Sequence, residues 1–233
     1  MAEHIRTALI VGASRGLGLG LAVELARRGW QVIATVRTAE VPAGLASAVA
    51  KSAGHISTAV VDVDSIPSVD ALVATLSRRK LDLLLINAGV AGPKHQSVEE
   101  VTSSELAALL TTNAIAPVRI ARRLLPNVMD GGCIAFMSSR MGSVADNLSG
   151  GMDLYRASKA ALNSLTRSFV ATVAHDHKVT VLTLHPGWVR TDMGGAAAPL
   201  SIAESVSGLA DVIEAPSTAK HRFLDYQGAE LPW

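Results

Sequence analysis

Sulfur chemistry is nearly missing from this chain of 233 residues: its one cysteine, Cys133, stands in the apolar run CIAFM. A lone cysteine excludes an intrachain disulfide and a cysteine metal cluster, and it suits a reducing cytoplasm. In such a run it is expected to be a buried, inert thiol. Aromatics are few: three Phe, three Trp and two Tyr. Net charge is nearly absent, since 21 basic and 20 acidic residues leave +1. That balance gives no electrostatic case for nucleic acid or an anionic membrane as partner. No apolar run reaches the length of a membrane-spanning helix, about 20 residues. The opening MAEHIRTALIVGAS runs into glycines and reads as a first strand, not a signal peptide. No linker, low-complexity tract or repeat interrupts residues 1–233, so one domain is expected.

What is present is an apolar, patterned chain, 49% hydrophobic and 18% charged, which argues for a globular fold. Candidate strands are 7–12, 31–36, 56–63, 81–87, 133–139 and 179–185, with a weaker seventh at 222–226. Several are continuous Val/Ile/Leu runs, as expected of strands buried on both faces of a parallel sheet. Helical patterns lie near 17–28, 68–79, 103–125, 155–174 and 202–213. The alternation predicts an α/β Rossmann fold: a doubly wound, mostly parallel seven-stranded sheet with helices on both faces.

The first strand runs into GASRGLG, placing Gly12, Gly16 and Gly18 directly before a helix. Glycines permit a sharp turn and close approach to a pyrophosphate, and the helix offers free N–H groups to that anion. An acid at the end of the second strand would bind a free ribose 2′-hydroxyl. Here the strand carries none; Arg37 follows it and Arg15 sits in the turn. Two guanidiniums suit a 2′-phosphate, so NADP(H) is expected in preference to NAD(H). Asp62 and Val63 end the third strand, where they could meet adenine. Asn87-Ala88-Gly89 ends the fourth, at the edge where such sheets bind ligands.

The segments GASRGLG, NAG, SS at 138–139, YRASK and HPGWVRTD occur in this order and resemble the short-chain dehydrogenases/reductases. YRASKAALN, HPGWVRTDMGG and FLDYQGAELPW further resemble sniffer-type carbonyl reductases and C-factor-like proteins. The resemblance implies that Ser14 and Leu17 join the glycines in holding the cofactor, with Pro186, Gly187, Val189 and Thr191 beside the nicotinamide. It implies Tyr155 as the proton donor to a carbonyl oxygen and Lys159 as its partner and ribose ligand. Tyr155 and Lys159 stand four apart, on one helix face. A nearby ammonium favours the phenolate, so Lys159 is expected to lower the phenol pKa from its usual value of about 10.

Ser139 would stabilise the substrate oxygen. Ser138 competes for that role, because neighbouring strand residues face opposite ways. Asn113 precedes Pro117 by four; proline has no N–H for the Asn113 carbonyl, and the helix is expected to kink. The family uses this asparagine to hold a water linked to the lysine. His185 is expected to be structural. His175 and His177, two apart, are poor metal ligands, and no metal is expected. The loop SVADNLSGGMD and a small mobile lid, DMGGAAAPLS, would border the substrate, with Met141, Leu148, Trp188 and Met193 as wall candidates. The resemblance implies NADPH-dependent reduction of a small aldehyde, ketone or quinone by a homodimer or homotetramer. Alternatives are an alcohol dehydrogenase working toward oxidation and a dinucleotide-binding signalling or sensor protein.

Overall fold

A computed structural model describes residues 4–215 and 220–233. Its strands are β1 (Thr7–Val11), β2 (Gln31–Val36), β3 (Ile56–Val60), β4 (Leu81–Ile86), β5 (Val128–Met137), β6 (Thr180–His185) and β7 (His221–Asp225). They form one sheet in the order β3-β2-β1-β4-β5-β6-β7, and every neighbouring pair is parallel. The sheet is therefore wholly parallel where a mostly parallel one was expected.

The apolar runs explain this. Leu9, Val11, Leu84, Ile86 and Phe136 pack on one face with α3 (Ile66–Leu76), α5 (Ala116–Leu124) and α6 (Asp153–Phe169). Their strand neighbours Ala8, Ile10, Leu83, Leu85 and Met137 pack on the other with α1 (Gly16–Arg27), α2 (Ala43–Lys51) and α7 (Ile202–Glu214). Both faces are buried, so alternation is lost and the strands read as unbroken hydrophobic segments. Between α1 and α7, Arg28 bonds Glu24, Asp211 and Glu214 at 2.7–2.8 Å.

Four elements depart from the sequence reading. α2 was not expected; AGLASAVAK buries only Leu45, so no apolar stripe marks it. The expected helix 103–125 is α4 (Ser103–Leu110), a π-helical turn Thr111–Ile115, and α5. The wide turn lies where Pro117 cannot donate to the carbonyl four residues back, so the expected kink takes the form of a π-bulge. The helix at 155–174 likewise ends in a π turn, Val170–Ala174. β5 begins five residues early, at Val128, and reaches its full register after a shift between Leu81 and Leu83.

β7 carries only one neighbouring strand, but its outer edge is occupied. Asp225 N–H donates to the Ala229 carbonyl at 2.9 Å, and Leu231 N–H to that of Phe223 at 2.8 Å. The Trp233 ring packs on Phe223, centroids 5.3 Å apart. No helix among the described residues is long and apolar enough to cross a membrane. Sheet order reverses between β1 and β4, and the crevice beyond their carboxyl ends is the ligand position of such sheets.

Candidate active site

The turn from β1 into α1 has no room for side chains at two of its glycines. Gly12 has φ +87°, and a Cβ there would lie 2.8 Å from the Ala88 backbone. At Gly18 a Cβ would lie 2.1 Å from the Gly12 carbonyl. Asn87 Nδ2 braces that carbonyl at 2.8 Å, and Thr35 Oγ1 accepts from Gly12 N–H at 3.0 Å. The N-cap of α1, Arg15, makes no side-chain cap, and the first helical turn holds no acid. That helix end offers N–H groups to an anion with no acid in its own first turn, so the residues fit a dinucleotide pyrophosphate.

Gly12, Ser14, Arg15, Gly16 and Leu17 line one side of the cleft beyond this turn. Arg37, Asp62 and Val63 arrive from the ends of β2 and β3, and Asn87, Ala88 and Gly89 from β4. Ser138, Tyr155, Lys159, Pro186, Thr191, Asp192 and Met193 line the inner end and the opposite side, while Ser139 and Asn113 stand outside this lining. Gly18, Gly187 and Val189 lie behind the wall as packing; a Cβ on Gly187 would meet Leu200 at 2.4 Å, and Val189 bridges Leu200. Arg37 is exposed. Arg15 pairs with Asp192 across the cleft. Asp62 Oδ1 holds the Asp64 N–H at 3.1 Å.

At the inner end, burial pushes the Tyr155 phenol up to about 12, and a hydrogen bond with Ser139 pulls the other way. This corrects the expectation that Lys159 lowers it. The Lys159 ammonium lies 5.8 Å from the Tyr155 ring centre and donates to the Met137 carbonyl at 3.0 Å. Burial brings Lys159 itself down to about 8. Desolvation disfavours both charged forms and is the leading cause at each.

The two serines are separated by their partners. Ser138 donates to Asn163 Oδ1 at 2.6 Å, and Asn163 Nδ2 donates to the Gly142 carbonyl at 3.1 Å. Gly142 lies so close to α6 that a Cβ would come within 2.9 Å of Lys159 backbone. The turn after β5 is thereby clamped on the helix that carries Tyr155 and Lys159. Asn113, fully buried, donates from Nδ2 to the Val90 carbonyl at 2.8 Å and to Ser158 Oγ at 3.0 Å, while its Oδ1 accepts from Val90 N–H at 2.8 Å.

The substrate-side candidates are less closely gathered. Met193 reaches the cleft, half exposed. Met141 is partly buried in a short 3₁₀ turn, Arg140–Gly142. Leu148 is 93% exposed and Trp188 57%; neither lines the cleft. The segment after Thr191 is tied back by hydrogen bonds. Trp188 Nε1 donates to the Gly194 carbonyl at 2.8 Å, and Arg190 donates to the carbonyls of Ala198 and Pro199 at 3.0 and 2.6 Å. Burial holds the His185 imidazole down to about 4, neutral at physiological pH, and His175 and His177 are exposed. Cys133 is partly buried, and desolvation pushes its thiol up to about 12, out of nucleophilic range.

Sequence reasoning missed Thr35, Ser158, Asn163 and Gln96, the last of which accepts from Tyr155 N–H. Asn163 and Ser158 stand in YRASKAALN, four residues after Lys159 and three after Tyr155, so their helix faces were readable. Nothing local marks Thr35 or Gln96, whose partners are 23 and 59 residues away.

The short chain dehydrogenase family profile matches residues 6–199. The chain is 44% identical over 156 residues to the C-signal of Myxococcus xanthus, covering 66% of this chain and 93% of that protein. A carbonyl reductase from Pseudomonas aeruginosa PAO1, solved in complex with NADP, superposes with a TM-score of 0.91 at 44% identity, covering 99% of this chain and 100% of that one. The carbonyl reductase Sniffer of D. melanogaster superposes with a TM-score of 0.88 at 33% identity, over 99% and 100% of the two chains.

Proposed function

The chain belongs to the short-chain dehydrogenase/reductase family and is an NADP-dependent oxidoreductase, and we propose that it reduces the carbonyl of a small aldehyde, ketone or quinone. The observation carrying this reading is that Tyr155 and Lys159 line the same cleft from one helix, the ammonium 5.8 Å from the phenol ring centre, beyond a glycine turn that fits a dinucleotide. Bound NADPH supplies a hydride to the carbonyl carbon. Tyr155 gives its phenolic proton to the carbonyl oxygen, yielding the alcohol. Ser139 donates to that oxygen as charge develops there. The Lys159 ammonium stabilises the phenolate left on Tyr155, and Asn113 holds the loop and helix that face it. Arg15 and Arg37 pair with the 2′-phosphate and set the preference for NADPH over NADH. Leu106 and Ile115 put apolar surface outside α4 and the π turn, which supports a dimer or tetramer; light scattering of the purified protein tests it. A reducing cytoplasm suits the thiol of Cys133.

The test is steady-state oxidation of NADPH and NADH against small quinones, diketones and aldehydes, with Tyr155→Phe alongside. Turnover that prefers NADPH and vanishes in Tyr155→Phe is the expected result; full turnover in that variant refutes the mechanism. The similarity to C-signal supports a second reading, a dinucleotide-binding signal. Tight NADPH binding with no carbonyl turned over selects it.

A further inference from the structure

Gln96 has φ +55°, in the left-handed region that glycine and asparagine enter most easily. Such a conformation persists only where the surroundings fix it. Its side chain shows what does so. Nε2 donates to the carbonyls of Ala91 and Pro93 at 2.9 and 2.7 Å. Oε1 accepts from the backbone N–H of Tyr155 at 2.9 Å. Both amide hydrogens and the amide oxygen are therefore in use.

The receiving end needs this contact. The N-cap of α6, Met152, is itself left-handed at φ +56° and makes no side-chain cap. Tyr155 is the third residue of that helix, and its N–H is one that an N-cap side chain ordinarily takes. Gln96 thus serves as an N-cap delivered from another loop. On the far side of the same residue, the Tyr155 carbonyl accepts from Ser158 Oγ at 2.7 Å, and Ser158 in turn accepts from Asn113 Nδ2. Asn113 grips Val90 at both N–H and carbonyl. Both ends of the Tyr155 backbone are therefore tied to the 88–96 loop, which leaves the cleft at Asn87-Ala88-Gly89.

We propose that Gln96 is a positioning residue for Tyr155, holding the start of α6 against the β4 loop so that the phenol keeps its place in the cleft beside Lys159. Stapling the loop would need only the bonds to Ala91 and Pro93; the third bond is the one that reaches the proton donor. The catalytic consequence rests on the reductase reading above.

Two variants test it while keeping the left-handed backbone accessible. Gln96→Gly removes the side chain, and Gln96→Asn keeps an amide one methylene too short. Each is expected to lower kcat roughly 10- to 100-fold, the scale of a misplaced catalytic group. KM and NADPH affinity should stay near wild type, and hydrogen exchange at the Tyr155 amide should quicken. Variants with wild-type kcat and a protected Tyr155 amide overturn the proposal. So does a loss confined to NADPH affinity or to melting temperature. If the wild type turns over no carbonyl, the reductase reading fails, and exchange at the Tyr155 amide alone then decides whether Gln96 holds that residue.

Discussion

Ser138 donates to Asn163 Oδ1 at 2.6 Å while Ser139, one residue on, accepts from Met141 N–H at 3.1 Å. Adjacent hydroxyls thus take separate work. Ser139→Ala is expected to cut kcat by about 10²- to 10³-fold, the usual loss for one donor to a developing oxyanion. Ser138→Ala strips the buried Asn163 oxygen of its partner and should cost about 1–3 kcal/mol of stability. Steady-state kinetics and urea unfolding on both variants check this; the opposite assignment of losses would reverse the roles.

The free protein should lose reductase activity as pH rises through about 8. Lys159 gives up its proton there, having been brought down from 10.5 by burial. Above that point no ammonium supports the Tyr155 phenolate. The same shift has a stability sign. The folded-state pKa is depressed, so its contribution is fully present above 10.5 and is lost as pH falls through about 8. Tyr155 has the reverse sign. Burial raises it from 10.0 to about 12, so its contribution is present below 10.0 and is lost as pH climbs through about 12. A kcat/KM profile, and denaturant midpoints for Lys159→Met across the alkaline range, read both effects.

Removing Arg15 or Arg37 should weaken NADPH and spare NADH. A charge-assisted hydrogen bond contributes about 1.5–3 kcal/mol, or roughly 10- to 100-fold in affinity. Arg15→Ala also frees Asp192, so its NADPH loss should shrink in the Arg15→Ala/Asp192→Asn double variant. Fluorescence titration with each dinucleotide measures both. Equal losses for NADH would take the 2′-phosphate role away from these arginines.

Acid should act first between α1 and α7. Hydrogen bonds from Arg27 and Arg28 outweigh burial and hold Glu24 at about 2, against an ordinary 4.5. Glu214 is also lowered: burial opposes this, but Arg28 and Trp30 prevail. Depressed carboxylates stabilise the fold above 4.5, and that support is lost as pH falls toward 2. Urea midpoints at pH 6 and pH 3 should drop steeply in the wild type and less in Glu24→Gln.

The sheet was legible because its strands bury both faces, so β1, β2, β4 and β6 stand out as apolar runs with bounds off by one residue at most. α2 was not, since one buried leucine makes no stripe. The cofactor turn was legible because close packing leaves glycine as the fitting residue at Gly12 and Gly18. The partner of Ser138 was not legible, because only the folded helix brings Asn163 to β5. The tyrosine pKa came out with the wrong sign because sequence spacing reports a neighbouring charge but not the loss of water around both groups.

The Ala229 and Leu231 contacts on β7 have a consequence for how molecules can join. A strand edge with its backbone groups already used cannot template another chain. Part of the β7 edge is taken up by its own polypeptide, while β3, among the described residues, pairs with β2 alone. Strand addition therefore has a favoured side: β3, where Ser57 and Thr58 face solvent, is open to it, and β7 is partly blocked by the segment that ends in Trp233.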